Sequence, residues 1–542
     1  MYKPKPVGLE AAFTGFIRWI NRGRNLLPLR AHRVLDCGDY GWVEYINVRR
    51  SAEPVTARRF YCRAGMLQGV LYAIGATDCH NENLIASGEQ LVLVDMETLV
   101  QPRVTSIGED EGHLDSVLQT GLLPQWECQH DTRQAIDVSG LGVPGAGPIP
   151  PERLWRFINT DAMHISWSKE GTAFDKASRL DEVAPLEGFG DEFVNGFELM
   201  YRHLLRYRSV LLAPEGPIAA FRDREARLLF RATQTYARIT DASLAPQALQ
   251  SGVDWSIELE RLAFAFLAAE RKPIAWPILH AERQAMERLD VPYFASVTSE
   301  SMLLGLHPPL RGYIRSNGYD DTVDRLMRFS ESDLALQRGL ILAALHARMA
   351  GPHAVVLSSP NPPTAAHSGH APTRNGTARE RRSSVAELLI NEAVAIGSLL
   401  TAGVITLSTD RINWLGLTYV RNNQRLQVSL LSPNLYDGVS GVAVFLAALS
   451  RVTGTEAFGK LALRAIEPMR RAVRGHESTS RLIEQLGLGG ALGVGSVLYA
   501  LCKVSEFLND ESLLDDALQA ARAISSQHIR AYTRFDVMGG MA

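Results

Sequence analysis

The sequence predicts an α+β catalytic region followed by an all-α repeat region, and three observations support this. Residues Leu71 to Val100 read as loop, short strand, turn and strand. Ser87-Gly88-Glu89 there separates the apolar runs Leu84-Ile85-Ala86 and Leu91 to Val94. From Leu186 the pattern turns helical: Phe193, Phe197, Met200, Tyr201, Leu204 and Leu205 recur near a 3.6 period and predict a core face. Glycine clusters beginning at Tyr436, Gly487 and Asp536 recur about every 50 residues, as stacked helix pairs do.

Bulk properties narrow the function classes. A chain of 542 residues holds two to four domains with ample cores. Hydrophobic and charged contents of 46% and 21% are those of a soluble globular protein. A net charge of -3 provides no field for a polyanion, so no nucleic-acid partner is expected. Five scattered cysteines, an odd number, point to reduced thiols and a cytoplasmic location. MYKPKPVGLE has no apolar stretch of a signal peptide. The most apolar window, Ala393 to Leu407, is too short and too interrupted by Gly, Ser and Thr for a transmembrane segment. It reads as a buried helix.

Two polar clusters lie in Leu71 to Val100: Asp78, His80 and Asn83 as D-x-H-x-x-N, and Asp95 with Glu97 as D-x-E. Placed on a strand, Asp95 and Glu97 point to one face. With the Asn83 carbonyl alongside, they make an all-oxygen site suited to Mg²⁺ carrying a nucleotide triphosphate. Asp78 is then available to orient or deprotonate a hydroxyl, as the catalytic-loop Asp does in phosphoryl transfer. A capped, solvated turn and a metal site without nucleotide are the other readings of the same pattern.

TDCHNENLIA followed by VLVDMETL resembles the dehydratase domain of class II lanthipeptide synthetases, a domain related to lipid kinases. The resemblance implies phosphorylation of Ser and Thr in a leader-bearing precursor peptide with ATP and Mg²⁺. Elimination of phosphate to dehydroalanine and dehydrobutyrine follows, and a second domain then adds Cys thiols.

The rest of the chain supports the likeness in order. Tyr2-Lys3-Pro4 resembles the family motif whose Lys contacts ATP phosphates, and Lys suits that role as a point charge with rotatable donors. Tyr40 to Glu44 and Phe60 to Gly65 follow in the family's order, with Glu44 a candidate partner for Lys3. Residues 101 to 180 read as irregular, and the Gly/Pro-rich Val138 to Pro151 as loop. REARLLFRATQTYARI carries R-x-x-x-R-x-T, which resembles the elimination segment and assigns Arg227 and Thr233 to it. A guanidinium suits bidentate capture of departing phosphate, whereas a solvated surface Arg is the alternative on pattern alone. Trp255 to Ala269 and Ser330 to Met349 read as helices, and Ser299-Glu300 as a helix start.

Ser358 to Ser384 lacks aromatic residues and reads as disordered linker. The repeats beyond it resemble the cyclase of the same synthetases, an α/α toroid that binds Zn²⁺. Asp536 matches that family's D-x-x-x-G motif. The zinc ligands expected for the full-length family lie downstream of it and have no counterpart here, so Asp536 is expected to be inert.

The resemblance thus implies an α+β kinase-like (lipid-kinase-related) dehydratase core with helical additions, followed by an incomplete all-α (α/α) toroid. The domains are 1–352, the C-terminal majority of the dehydratase; 353–384, linker; and 385–542, the N-terminal part of the cyclase. The chain reads as truncated at both ends, with a companion chain a candidate to supply missing parts. The site assignment is Asp78, His80, Arg227 and Thr233 for catalysis; Lys3, Glu44, Asn83, Asp95 and Glu97 for ATP; and Asn83, Asp95 and Glu97 for Mg²⁺. The alternatives are a kinase-like phosphotransferase without elimination and a non-catalytic peptide-binding remnant.

Overall fold

A computed structural model describes residues 1–49, 53–105, 115–128, 135–142, 152–157, 160–162, 164–168, 186–267, 272–349, 378–408, 411–420, 425–531 and 536–540. The chain forms two compact units. The first comprises Met1–Asp110, Asp115–Pro352 and Tyr419–Gln427; the second Glu111–Leu114, His353–Thr418 and Val428–Ala542.

The first unit mixes strands and helices. It opens with β1 (Tyr2–Lys3) and α1 (Gly8–Ile20), followed by β2 (Val34–Asp36) and β3 (Gly41–Val43). These strands form an antiparallel sheet in the order β1-β3-β2, which pairs Lys3 with Gly41. In α1 the residues Leu9, Phe13, Phe16, Ile17 and Ile20 recur at helical spacing and are all buried. α2 (Pro54–Ala73) has proline in its first turn, where no backbone donor is lost.

The β-hairpin follows, with β4 (Leu84–Ser87) and β5 (Gln90–Leu93) joined through Gly88 at φ +64, which glycine adopts without Cβ strain. Leu84 faces Leu93 across it, and Ser87 faces Gln90. Between residues 101 and 180 the described elements are short, and they include the strand pairs Trp126–Cys128 with Ala135–Asp137 and Glu152–Arg156 with His164–Ser168. Most of the Gly/Pro-rich stretch, residues 143–151, lies outside the described residues.

α3 (Gly190–Arg206) packs on α2 with Phe193, Phe197, Met200, Tyr201 and Leu204 buried and Leu205 half-buried. The two helices touch backbone to backbone. A Cβ on Gly65 would lie 1.8 Å from the Phe193 carbonyl oxygen, and one on Gly196 would lie 1.9 Å from that of Cys62. β6 (Glu225–Arg227) precedes α4 (Thr233–Ser243) and pairs antiparallel with β7 (Ala295–Val297). Ser299-Glu300 does not start a helix. The Leu304 amide donates to the Ala295 carbonyl at 2.7 Å, and Phe294 and Leu303 are buried in one cluster with Phe266, so strand pairing overrides the local signal. α5 (Gly318–Arg328) and α6 (Glu331–Met349) follow in the same unit.

The second unit is largely helical. Residues 353–377 of the expected linker lie outside the described residues. Residues 378–384, also assigned to it, instead form the first turns of α7 (Ala378–Ala402). This helix is not the buried one the sequence suggests: Leu389 is 66% exposed and Leu399 73%. Its apolar residues are spread around the helix, and Ala393, Val394 and Leu400 are the ones packed against the unit's core. Val385–Ala402 is long and apolar enough to cross a membrane by length and composition.

The hairpin of β8 (Ile405–Ser408) and β9 (Arg411–Asn413) follows. Next come α8 (Val439–Thr453), α9 (Glu456–Arg474), α10 (His476–Leu486), α11 (Val494–Leu508) and α12 (Ser512–Ala523). Leu446, Ile466, Val497, Leu501 and Leu513 share their core. The glycine-rich turns are joined in series. Amides of Leu435 and Tyr436 both donate to the Ala491 carbonyl at 3.2 Å, and those of Ala491 and Leu492 donate to the Met538 carbonyl at 3.1 and 3.0 Å.

Candidate active site

The β4–β5 hairpin brings the two polar clusters together. The Val94 amide donates to the Asn83 carbonyl at 2.9 Å, which closes the open end of the hairpin between them. Thr98 Oγ1 donates to the Thr77 carbonyl at 2.9 Å and ties the loop before Asp78 to the segment after Glu97.

Asp78 sits at φ +59, a left-handed conformation that Asp tolerates better than most side chains. Asn83 Nδ2 donates to the Asp78 carbonyl at 2.8 Å and to its Oδ2 at 3.3 Å. His80 Nε2 lies 3.2 Å from Asp78 Oδ1, while its Nδ1 accepts from the Glu82 amide at 3.2 Å. The hydrogen bond to Asp78 raises the His80 pKa against the opposing effect of burial. With Nδ1 accepting from the Glu82 amide, Nε2 is the nitrogen that donates to Asp78, so one tautomer serves both contacts.

Asp95 and Glu97 lie just past the end of β5, not on it as expected, because the chain leaves the ladder at Val94. They still address one group: Lys5 Nζ is 3.7 Å from Asp95 Oδ1 and is paired with Glu97 Oε2. Lys3 Nζ is 3.4 Å from Asp95 Oδ1, 3.4 Å from the Val94 carbonyl and 3.1 Å from Glu10 Oε1. Burial would lower the Lys3 pKa, but the Asp95 and Glu10 carboxylates outweigh it and the pKa is raised.

Glu10, 2% exposed on the first turn of α1, is therefore the partner of Lys3, and Glu44 is not. Glu44 pairs with Arg30 at 2.9 Å and accepts from the Arg33 amide at 3.1 Å. The strand pairing of β3 points it toward the 30–33 segment. An acid one helical turn into the element that follows Lys3 was the signal the sequence offered. Replacing Lys3 by Met should strand the Glu10 charge and cost about 3–5 kcal/mol in chemical denaturation. Adding Glu10→Gln should restore most of that stability. Equal stability of the single and double variants would contradict the pairing.

Arg227 reaches the same cluster. Its Nη1 is 2.5 Å from Glu97 Oε1, its amide donates to the Glu97 carbonyl at 2.8 Å, and its guanidinium lies 5.6 Å from the centre of the Tyr293 ring. Its Nε is buried without a partner among the described residues. Thr233 is exposed at the first residue of α4, and the ion pairs and hydrogen bonds of this cluster do not include it. Arg231 is turned away, held by the fully buried Glu282 at 2.6 Å.

The donor set suits a hard cation. The Lys5 ammonium already stands between two carboxylates, and Asn83 Oδ1 accepts none of the hydrogen bonds found among the described residues. No group of three or more His, Cys, Asp or Glu side chains converges among the described residues, so any such cation would draw further oxygens from its own ligand. In the second unit, Asp536 Oδ1 accepts from the Gly539 amide at 2.7 Å and shapes the third glycine turn.

His32 is 1% exposed, and neither ring nitrogen has a hydrogen-bond partner among the described residues. Burial lowers its pKa to about 4. In the unfolded chain it protonates near pH 6.5, so acid favours unfolding between these two values. Stability should fall by up to about 3 kcal/mol from pH 6.5 to pH 4 on this account. His32→Leu should flatten that limb in urea titrations; an unchanged slope would remove His32 as its source.

Comparison with known proteins gives the family. A family model described as a domain of unknown function, DUF4135, matches residues 1–297, more than half of the 542. A second, described as lanthionine synthetase C-like protein, matches residues 429–542. Lacticin 481/lactococcin biosynthesis protein LcnDR2 of Lactococcus lactis subsp. lactis is 23% identical over 481 residues, covering 82% of this chain and 47% of that protein. The chain belongs to the class II lanthipeptide synthetases. This synthetase chain spans about half the length of the curated relative it matches. Its first unit carries the DUF4135 match, and its helical array lies within the synthetase C-like match.

Proposed function

We propose that the first unit is the dehydratase of lanthipeptide biosynthesis, with a kinase-like core that phosphorylates Ser and Thr of a precursor peptide and then eliminates the phosphate. The observation that carries this reading is the Lys3–Glu10 ion pair set against Asp95. A buried Lys held by a helix acid beside a metal-binding Asp is the arrangement phosphotransferases use to grip a triphosphate. Asp95, Glu97 and Asn83 would hold Mg²⁺, which neutralises phosphate charge when bound with ATP. Asp78 orients the peptide hydroxyl and accepts its proton, and His80 steadies that carboxylate. Arg227, with Nε unpaired, offers its guanidinium to the phosphate that leaves. Thr233 serves the same step on the strength of the motif. The second unit begins a cyclase-like array, in which Asp536 acts as a turn former.

Mass spectrometry of a precursor peptide incubated with the protein, ATP and Mg²⁺ tests this. Loss of the mass of water at Ser and Thr is expected. Stable phosphopeptide would identify a phosphotransferase without elimination. Absence of any stabilisation by Mg-ATP in thermal melts would identify a non-catalytic peptide-binding protein.

A further inference from the structure

Among the described residues three cations neutralise Asp95 and Glu97, and they are not equally held. Lys3 Nζ has three oxygen partners for its three N–H groups, and its side chain is 10% exposed. Arg227 is fixed by its backbone: its amide donates to the Glu97 carbonyl at 2.8 Å, and its carbonyl accepts from Gln101 Nε2 at 2.8 Å. Lys5 follows Pro4 and precedes Pro6 outside any strand, and its side chain is 27% exposed. Its ion pairs are with Asp95 and Glu97, the two acids assigned to the metal. An ammonium and a divalent cation cannot share that position, because like charges at contact distance repel strongly. Lys5 is the cation free to leave, and its long flexible stem keeps the charge at the same mouth.

We propose that Lys5 is a built-in counter-ion for the metal position. It occupies the space between Asp95 and Glu97 in the ligand-free protein, and swings onto a phosphate oxygen when a metal-bound nucleoside triphosphate enters. The inference rests on the phosphotransfer reading of Asp95 and Glu97. It adds a binding residue that the D-x-H-x-x-N and D-x-E motifs do not contain. It also makes metal alone a poor ligand and metal with triphosphate a good one, because only the triphosphate gives the displaced ammonium a new partner.

The test measures Mn²⁺ alone by electron paramagnetic resonance and Mg-ATP by calorimetry, on the full chain and on its Lys5→Met, Lys5→Arg and Asp95→Asn variants. Lys5→Met should bind Mn²⁺ about tenfold more tightly and Mg-ATP about tenfold more weakly than wild type. Lys5→Arg should retain the weak Mn²⁺ binding, and Asp95→Asn should lose it. Thermal melts check that each variant folds. Mn²⁺ affinity unchanged or reduced in Lys5→Met overturns the counter-ion, and unchanged Mg-ATP affinity overturns the phosphate contact. Failure of the wild type to bind Mg-ATP would instead overturn the phosphotransfer reading, and this inference with it.

Discussion

Asp78→Asn is expected to leave the protein folded and to lower precursor phosphorylation by about 10²–10⁴-fold, the usual contribution of a positioned general base. The substitution is chosen for the backbone. At φ +59 Asn is as tolerant as Asp, whereas Ala would add strain and confuse loss of chemistry with loss of loop geometry. Asn also retains one acceptor oxygen, enough for one of Asn83 Nδ2 and His80 Nε2, which now bond to different oxygens of the carboxylate. What disappears is charge and basicity. Mg-ATP affinity should stay close to wild type, because Asp78 is not among the acids paired with Lys3 and Lys5. Quantitative mass spectrometry of phosphorylated and dehydrated peptide reads the first effect and calorimetry the second. Undiminished phosphorylation would remove Asp78 from the reaction.

Arg227→Ala should separate the two halves of the reaction. Phosphopeptide should accumulate while dehydrated peptide falls by about 10²–10³-fold, the loss typical when one charge-stabilising donor is deleted. The fold has reason to tolerate the change, since the Arg227 amide and carbonyl bonds to Glu97 and Gln101 belong to the backbone. Glu97 keeps Lys5 as a counter-charge. Neither accumulation of phosphopeptide nor any fall in turnover would contradict the assignment.

Much of this region was legible because it is local. Two apolar runs around Ser87-Gly88-Glu89 specify the hairpin, and the hairpin alone brings Asn83 beside Val94 and hence Asp95. The α3 face and the glycine clusters were legible for the same reason, through periodicity. Partner choices across the chain were not. Glu10 and Glu44 are both acids of the elements around Lys3, and only the packing of α1 against the first strands decides for Glu10. The meeting of Arg227 with Glu97 depends on a backbone bond between distant segments, and no spacing encodes it. Asp95 and Glu97 looked like strand residues because the apolar run continues to Val94, whose amide turns back to Asn83. The start of α7 was misread because composition is a guide to order only over long windows. An Arg- and Ser-rich turn continues into helix when apolar residues follow within one more turn.

The serial bonding of the glycine-rich turns in the second unit has a mechanical consequence. Each turn lends its amides to a carbonyl of the next, from Leu435 and Tyr436 to Ala491 and from there to Met538, so no turn sets its own shape independently. Strain introduced at one rung is handed along the ladder to the rung before it, and the array responds as a linked row, its members coupled only to their neighbours.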